Sequence, residues 1–124
     1  MQKVFNIDAF PIGYYMSWFV TTQAMYLVNV KLFDSSQVYF SASKQSINIE
    51  PPLAQNAAVI TGNNLQLVIE IDNANSIDNS LNTFTITNAS GDIVGYGYNI
   101  FVEDAFDSDY NDICVVLIAW KSKG

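Results

Sequence analysis

The sequence contains no histidine, no arginine and a single cysteine, Cys114. Without histidine, neither a Ser-His-Asp nor a Cys-His catalytic triad can form, and an imidazole zinc site is excluded as well. One cysteine excludes an intramolecular disulfide, and its position among Val and Ile residues favours a small core residue over a nucleophile. Because these absences remove the commonest catalytic groups, we expect a protein that is not an enzyme.

Positive charge is scarce, since five lysines stand against twelve Asp and Glu residues and the formal net charge is −7. A surface of this sign is a poor match for the phosphate backbone, so we expect no nucleic acid partner. Half of the residues are hydrophobic and only 14% are charged, which is sufficient for a buried core. A length of 124 residues predicts a single domain, 1–124.

Neither a membrane span nor a signal peptide is recognisable in the sequence. The aromatic-rich segment 14–33 alternates with Ser, Thr, Asn and Lys residues, which is too polar for the bilayer core. Asp8 interrupts the apolar stretch that a signal peptide would need near its start. We therefore expect no membrane insertion, and either a cytoplasmic location or export by a non-classical route to the cell surface or extracellular space.

Apolar residues alternate with polar ones over most of the chain, most clearly at 26–32, 65–71 and 83–87. This period of two predicts half-buried β-strands, and turn-forming residues such as Gly62-Asn63-Asn64 fall between them. No window has the 3.6-residue periodicity of an amphipathic helix. We predict an all-β fold, an antiparallel β-sandwich of about nine strands with Greek-key connections.

The apolar run 113–120 does not alternate, so both faces of the strand that it predicts should be buried. One face would cover the core of the sandwich, and the other needs separate cover. We expect a second copy of the chain to supply it, in a homodimer or homotetramer. The alternative is a central strand that a loop of the same chain covers.

An acidic segment, 103–112, directly precedes this run and contains five carboxylates and the Asn111 amide, with no lysine among them. Like charges a few ångströms apart repel by about 1 kcal/mol in water and by several times more near a protein surface. All-oxygen ligands are preferred by hard cations, calcium above others. The segment therefore predicts a calcium site, and the alternative interpretation is a solvated acidic turn.

Asp107, Asp109 and Asn111 copy the first ligand spacings of an EF-hand, but the rest of that motif is absent. Asp112 stands where the EF-hand turn needs Gly, and Ile118 stands where a bidentate Glu is required. The oxygen donors exceed what one calcium ion needs, and five negative charges exceed what one divalent ion neutralises. Two neighbouring calcium ions that share carboxylates satisfy both counts.

The motif Glu-Asp-x-x-Asp-x-Asp-Tyr-Asn-Asp at 103–112, followed by an apolar strand that ends in Trp120, resembles the bacterial two-calcium lectins that bind fucose and mannose. The similarity extends to 19–24 and to the Val-Asn-Val segment at 28–30. It implies two calcium ions per site, glycans as partners, and vicinal hydroxyls of a monosaccharide as calcium ligands.

The resemblance also implies individual roles. The first calcium would be held by Glu103, Asp107, Asp109 and Asp112. The second would be held by Asp109, Asn111, Asp112, the main-chain carbonyl of Thr21 and the C-terminal carboxylate of a neighbouring protomer, here Gly124. The sugar would contact Thr22, Gln23 and Asp104. A calcium-stabilised structural or self-assembling β-module that binds no sugar is the alternative function.

Overall fold

The computed structural model describes residues 1–104 and 109–124, and within these ranges it contains nine β-strands. The strands are β1 (Gln2–Asn6), β2 (Tyr15–Thr22), β3 (Ala24–Phe33), β4 (Val38–Ser46), β5 (Ala54–Val59), β6 (Gln66–Ile71), β7 (Asp78–Thr87), β8 (Ile93–Glu103) and β9 (Ile113–Trp120). None of the described residues forms a helix that is long and apolar enough to cross a membrane.

The strands form two antiparallel sheets that pack face to face. The four-stranded sheet has the order β1-β6-β3-β4, and the five-stranded sheet has the order β5-β2-β9-β8-β7. The chain passes repeatedly from one sheet to the other, for example between β2 and β3 and between β6 and β7. The predicted Greek-key β-sandwich of about nine strands is therefore confirmed.

The alternating residues of β3 and β6 point into the space between the sheets, as their sequence pattern predicts. Val28, Val30 and Leu32 of β3 are almost completely buried, and the same is true of the alternating residues of β6. Each buried aliphatic side chain of this kind contributes about 1.5–3 kcal/mol relative to an exposed one. The core therefore fixes which face of each strand is inside, and with it the register of the sheets.

The prediction of a half-buried strand at 83–87 is wrong for its burial, although the strand exists. β7 is an edge strand of the larger sheet, and Phe84 is 42% exposed. The ring of Phe84 lies on the outer face of the sheet, over the position where Gly97 lacks a Cβ. The alternation at β7 therefore reflects a packed aromatic–glycine pair on the outside and not a core-facing stripe.

β9 lies in the middle of the five-stranded sheet, between β2 and β8. Its inner residues Ile113, Val115, Leu117 and Ala119 are fully buried, which confirms the prediction for one face. The outer residues are half-buried, except for Trp120 at 40% exposure. Cover of this outer face by a second copy of the chain stays a prediction.

A buried carboxylate, Asp34, joins the β3–β4 turn to the connection between β5 and β6. It accepts hydrogen bonds from the main-chain N–H groups of Ser36 (2.7 Å), Gln37 (3.0 Å) and Gly62 (3.1 Å), and from the hydroxyl of Tyr39. Burial raises the pKa of Asp34, but the hydrogen bonds from Tyr39, Ser36 and Gln37 outweigh burial and leave this pKa below its usual value.

We predict that Asp34→Asn lowers the free energy of unfolding at neutral pH by about 2 kcal/mol, because hydrogen bonds to a charged acceptor are lost. The folded-state pKa of Asp34 lies below the unfolded-state value, so this stabilisation is present above about pH 4 and is lost as the pH falls through the folded-state pKa. Urea unfolding at a series of pH values measures the effect. The difference between wild type and variant should shrink on acidification, and a difference independent of pH would contradict the assignment. Asp92→Asn, in an exposed turn, is the matched control.

Candidate metal centre

The acidic residues come together because β8 ends where its neighbour β9 begins. Val102 pairs with Ile113, and the Asp112 N–H donates to the Val102 carbonyl at 3.1 Å. Glu103, the last residue of β8, and Asp112, which directly precedes β9, therefore lie side by side. Their exposed fractions are only 2% and 8%. The pairing of two apolar strands thus holds two carboxylates in a buried position.

Main-chain N–H groups partly compensate this negative charge. The Asp104 N–H donates to the Glu103 Oε1 atom at 3.1 Å and to the Asp112 Oδ2 atom at 2.8 Å. The Asp109 N–H donates to the Glu103 Oε2 atom at 3.1 Å. These neutral donors orient the carboxylates, but they do not cancel full charges. Burial raises the pKa of Asp112, which reflects how unfavourable its negative charge is in this place.

Carboxylate oxygens of Glu103, Asp109 and Asp112 all lie within 4.8 Å of one another, and this cluster can hold a metal ion. Asp109 is exposed whereas the other two are buried, so the cluster opens to solvent on one side. An all-oxygen donor set of this kind fits a hard divalent cation such as calcium. Of the other predicted ligands, Asn111 is half-buried and directly precedes Asp112, while Asp107 lies outside the described residues.

The end of β2 lies beside the acidic cluster because β2 pairs with β9. Thr21 is opposite Cys114, Thr22 is opposite Ile113, and the Gln23 N–H donates to the Asp112 carbonyl at 3.0 Å. The structure therefore brings the predicted residues of 21–23 to the predicted metal ligands, although 80 residues or more separate them in the sequence.

Two buried polar atoms at this end of the sandwich lack hydrogen-bond partners among the described residues. They are the Thr22 Oγ1 atom and the Asp104 Oδ2 atom. Buried oxygen atoms without a partner are uncommon in folded proteins and require an explanation. A bound group with hydroxyls, or a metal ion with its ligands, would supply the missing partners.

Gly124 lies far from the cluster of its own chain. It follows the end of β9, whereas the cluster is at the beginning of β9, and the strand between them is about 25 Å long. The neighbouring Lys123 ammonium lies over the Tyr15 ring, 5.4 Å from its centroid, at the opposite end of β2 from Thr22. Gly124 can therefore reach a metal centre only in another copy of the chain.

A cavity of about 520 Å³ next to the cluster could not be inferred from the sequence. It is lined by Asp109, Tyr110, Asn79, Ser80 and Phe101. These residues come from β7, from β8 and from the segment before β9, and only strand pairing places them together. A positive φ of 54° at Tyr110 marks the sharp bend of the chain at this point.

No protein-family model matches the sequence, and no curated protein matches it either. Solved structures, however, match nearly the whole chain. A Chromobacterium violaceum lectin in complex with alpha-methyl-fucoside aligns with a TM-score of 0.68 and 20% identity, over 100% of this chain and 99% of the lectin.

Two further structures agree. A high-affinity mannose-binding lectin of Ralstonia solanacearum has a TM-score of 0.69 and 17% identity, over 98% of this chain and 96% of the lectin. The C-terminal domain of the lectin BC2L-C from Burkholderia cenocepacia has a TM-score of 0.64 and 18% identity, over the full length of both chains. This chain has the fold of these bacterial lectins. The resemblance inferred from the sequence is thus confirmed at the level of the fold.

We predict that a divalent cation raises the stability of the wild-type protein and that Asp109→Ala removes this effect. At a cation concentration of 100 times the dissociation constant, the gain should be about 2.7 kcal/mol. Thermal unfolding with added calcium, and again with chelator, measures it.

Asp92→Ala is the control, because Asp92 is exposed and lies at the opposite end of β8 from Glu103. Without cation, the Asp109→Ala protein should be at least as stable as wild type, since a like charge has been removed from the cluster. An unchanged calcium response in Asp109→Ala would refute the proposed ligand set.

Proposed function

We propose that this chain is a calcium-dependent lectin that binds a monosaccharide of the fucose or mannose type through two calcium ions in the 103–112 segment. The observation that carries the proposal is the carboxylate cluster of Glu103, Asp109 and Asp112. Two buried oxygens that have no hydrogen-bond partner among the described residues belong to Asp104, next to Glu103, and to Thr22, which pairs with Ile113. The likeness in fold to a fucoside-bound and a mannose-binding lectin supports the same choice.

In this proposal the buried carboxylates hold the ions and the residues around them select the sugar. Glu103, Asp109 and Asp112 supply the central ligands, and Asp107, Asn111 and the Thr21 carbonyl complete the two coordination shells. Calcium, when bound, supplies coordination positions that vicinal sugar hydroxyls can fill. The chain's own residues orient the sugar because hydrogen bonds are directional.

Asp104, Thr22 and Gln23 would make these directional contacts. The Asp104 Oδ2 atom accepts a hydrogen bond from a sugar hydroxyl, and the Thr22 Oγ1 atom can donate or accept one. Gln23 is held next to the ions by its main-chain bond to Asp112. Because Glu103, Asp112 and Gln23 lie at the ends of paired strands before any sugar arrives, these residues lose little conformational entropy on binding.

We further propose that the protein acts as a homodimer or homotetramer in which Gly124 of one protomer contributes its carboxylate to the metal centre of another. The outer face of β2 and β9 offers an uncharged contact surface that includes Phe19, Val116, Ile118 and Trp120. Phe19 and Trp120 are 41% and 40% exposed in the single chain. Several sites on one assembly would add avidity on a glycan-coated surface.

A second function, a calcium-stabilised structural module without sugar binding, is favoured by one observation. Glu103 and Asp112 are buried, so a cation between them would stabilise the loop whether or not a sugar binds. Cation binding alone therefore does not separate the two functions. Sugar binding does separate them. Recovery of the bound sugar in unchanged form would in addition distinguish a lectin from an enzyme.

We predict that L-fucose, D-mannose or both release heat in isothermal titration calorimetry with calcium and give none after chelation. Asp104→Ala should weaken the binding of the sugar about tenfold or more, since a charge-assisted hydrogen bond is lost. The same variant should keep the calcium-induced rise in thermal stability, because the substitution leaves in place the Asp104 main-chain N–H that donates to Glu103 and Asp112.

Asp92→Ala should leave both readouts as in wild type. An absence of binding across a broad glycan array, in protein whose two calcium ions are verified by metal analysis, would favour the structural module instead. Equal loss of calcium and sugar binding in Asp104→Ala would place Asp104 among the metal ligands.

We predict that one residue appended after Gly124 lowers calcium affinity at one of the two ions, because the added residue moves the terminal carboxylate away from the partner's metal centre. Calcium titration of wild type and extended protein measures this, and sedimentation velocity shows whether the assembly is kept. An unchanged affinity in an intact oligomer would contradict the role of Gly124. Substitution of Gly124 by Ala keeps the carboxylate in place and is the matched control.

A further inference from the structure

A second cavity, of about 490 Å³, adjoins the candidate sugar site and is lined by Gln23, Ile47, Asn48, Ile49 and Glu50. Its volume falls in the range of about 300–1,000 Å³ that is usual for small-molecule sites. Gln23 belongs to both places, because its N–H donates to the carbonyl of Asp112, a member of the metal cluster. A ligand held at the cluster therefore has this cavity next to it.

The lining of the cavity is mainly polar, and it includes two exposed isoleucines. Ile47 and Ile49 are 69% and 47% exposed, so both side chains present apolar surface to the solvent. Asn48, Glu50 and Gln23 bring amide and carboxylate groups to the same cavity. A pyranose ring has the complementary surface, since it presents C–H groups on its faces and hydroxyls around its edge.

The 47–50 segment is held in place by hydrogen bonds with the end of β4. The Lys44 ammonium donates to the carbonyl oxygens of Asn48 (2.7 Å), Ile49 (3.2 Å) and Pro51 (2.7 Å). In addition, the Asn48 N–H donates to the Ser46 Oγ atom at 3.0 Å. A lysine that is bound to three carbonyls braces the segment, so the cavity is formed before a ligand enters it. Such preorganisation reduces the ordering cost of binding.

We propose that this cavity is a second sugar subsite, which binds the residue linked to the monosaccharide at the metal centre. The proposal rests on the proposed lectin function and adds to it a preference for disaccharides over monosaccharides. Ile47 and Ile49 contact the face of the second ring, and Asn48 and Glu50 bond its hydroxyls. Gln23 lies between the two subsites and contacts both residues of the glycan.

Calorimetry in calcium tests the proposal with methyl α-mannoside, alpha-methyl-fucoside, the mannobioses of each linkage and fucosylated disaccharides as probes. At least one disaccharide should bind wild type about tenfold more tightly than its methyl glycoside. In the double variant Ile47→Ser/Ile49→Ser this gain should vanish, while affinity for the methyl glycosides stays within about twofold of wild type. Lys44→Met should also lose the gain, because it releases the segment without changing a group that lines the cavity.

Ile93→Ser is the matched control, since Ile93 is 41% exposed and begins β8 at the end opposite Glu103. It should keep the full disaccharide gain. If no disaccharide exceeds its methyl glycoside, or if the gain survives in the double variant, the subsite is refuted while the lectin function stands. If no methyl glycoside or disaccharide binds with calcium present, both proposals fail. If the double variant changes only the oligomeric state in sedimentation velocity, the segment is a contact between copies and the subsite is refuted.

Discussion

The pairing of β8 with β9 is the constraint on which the rest of the site depends. It buries apolar residues along both strands, and it also forces Glu103 and Asp112 together at the end of the pair. Removing a charged group from water costs several kcal/mol, and two like charges 4 Å apart repel by a further amount, about 4 kcal/mol at an effective dielectric constant of 20. Main-chain N–H groups offset only part of this free-energy cost, so a cation bound between the carboxylates would stabilise the fold.

A cation bound here would lie at the ends of paired strands. Glu103 and Asp112 lie at the ends of two central strands, β8 and β9. Gln23, which follows the neighbouring strand β2, is joined to Asp112 by a main-chain hydrogen bond. Sites that are built on strands hold their groups more accurately than sites on free loops. The proposed carbohydrate site would need this accuracy, because sugars that differ only in the direction of one hydroxyl must be told apart by hydrogen bonds of defined direction.

The sequence predicted the class of fold because period-two alternation reports directly on burial, as in β3 and β6. It predicted the cluster because the carboxylates are close together in the chain and precede an apolar strand. It failed for β7, where Phe84 packs on Gly97 outside the core, since alternation does not say which face is inside. The cavity lined by residues 47–50 could not be predicted from the sequence either, because the Lys44 hydrogen bonds that shape this segment depend on the folded path of the chain.

In the proposed oligomer, the length of the sandwich would link cation binding to assembly. Gly124 and the cluster lie at opposite ends of β9, so a tail can complete a metal centre only between chains. Chains of net charge −7 repel each other, but the outer face around Val116 and Ile118 has no charged side chain on β2 or β9, so a contact there would bring no like charges of these strands together. Two calcium ions would reduce the net charge of each chain to about −3 and thereby weaken this repulsion. By thermodynamic linkage, an assembly that completes the metal centre must in turn bind calcium more tightly than the isolated chain does.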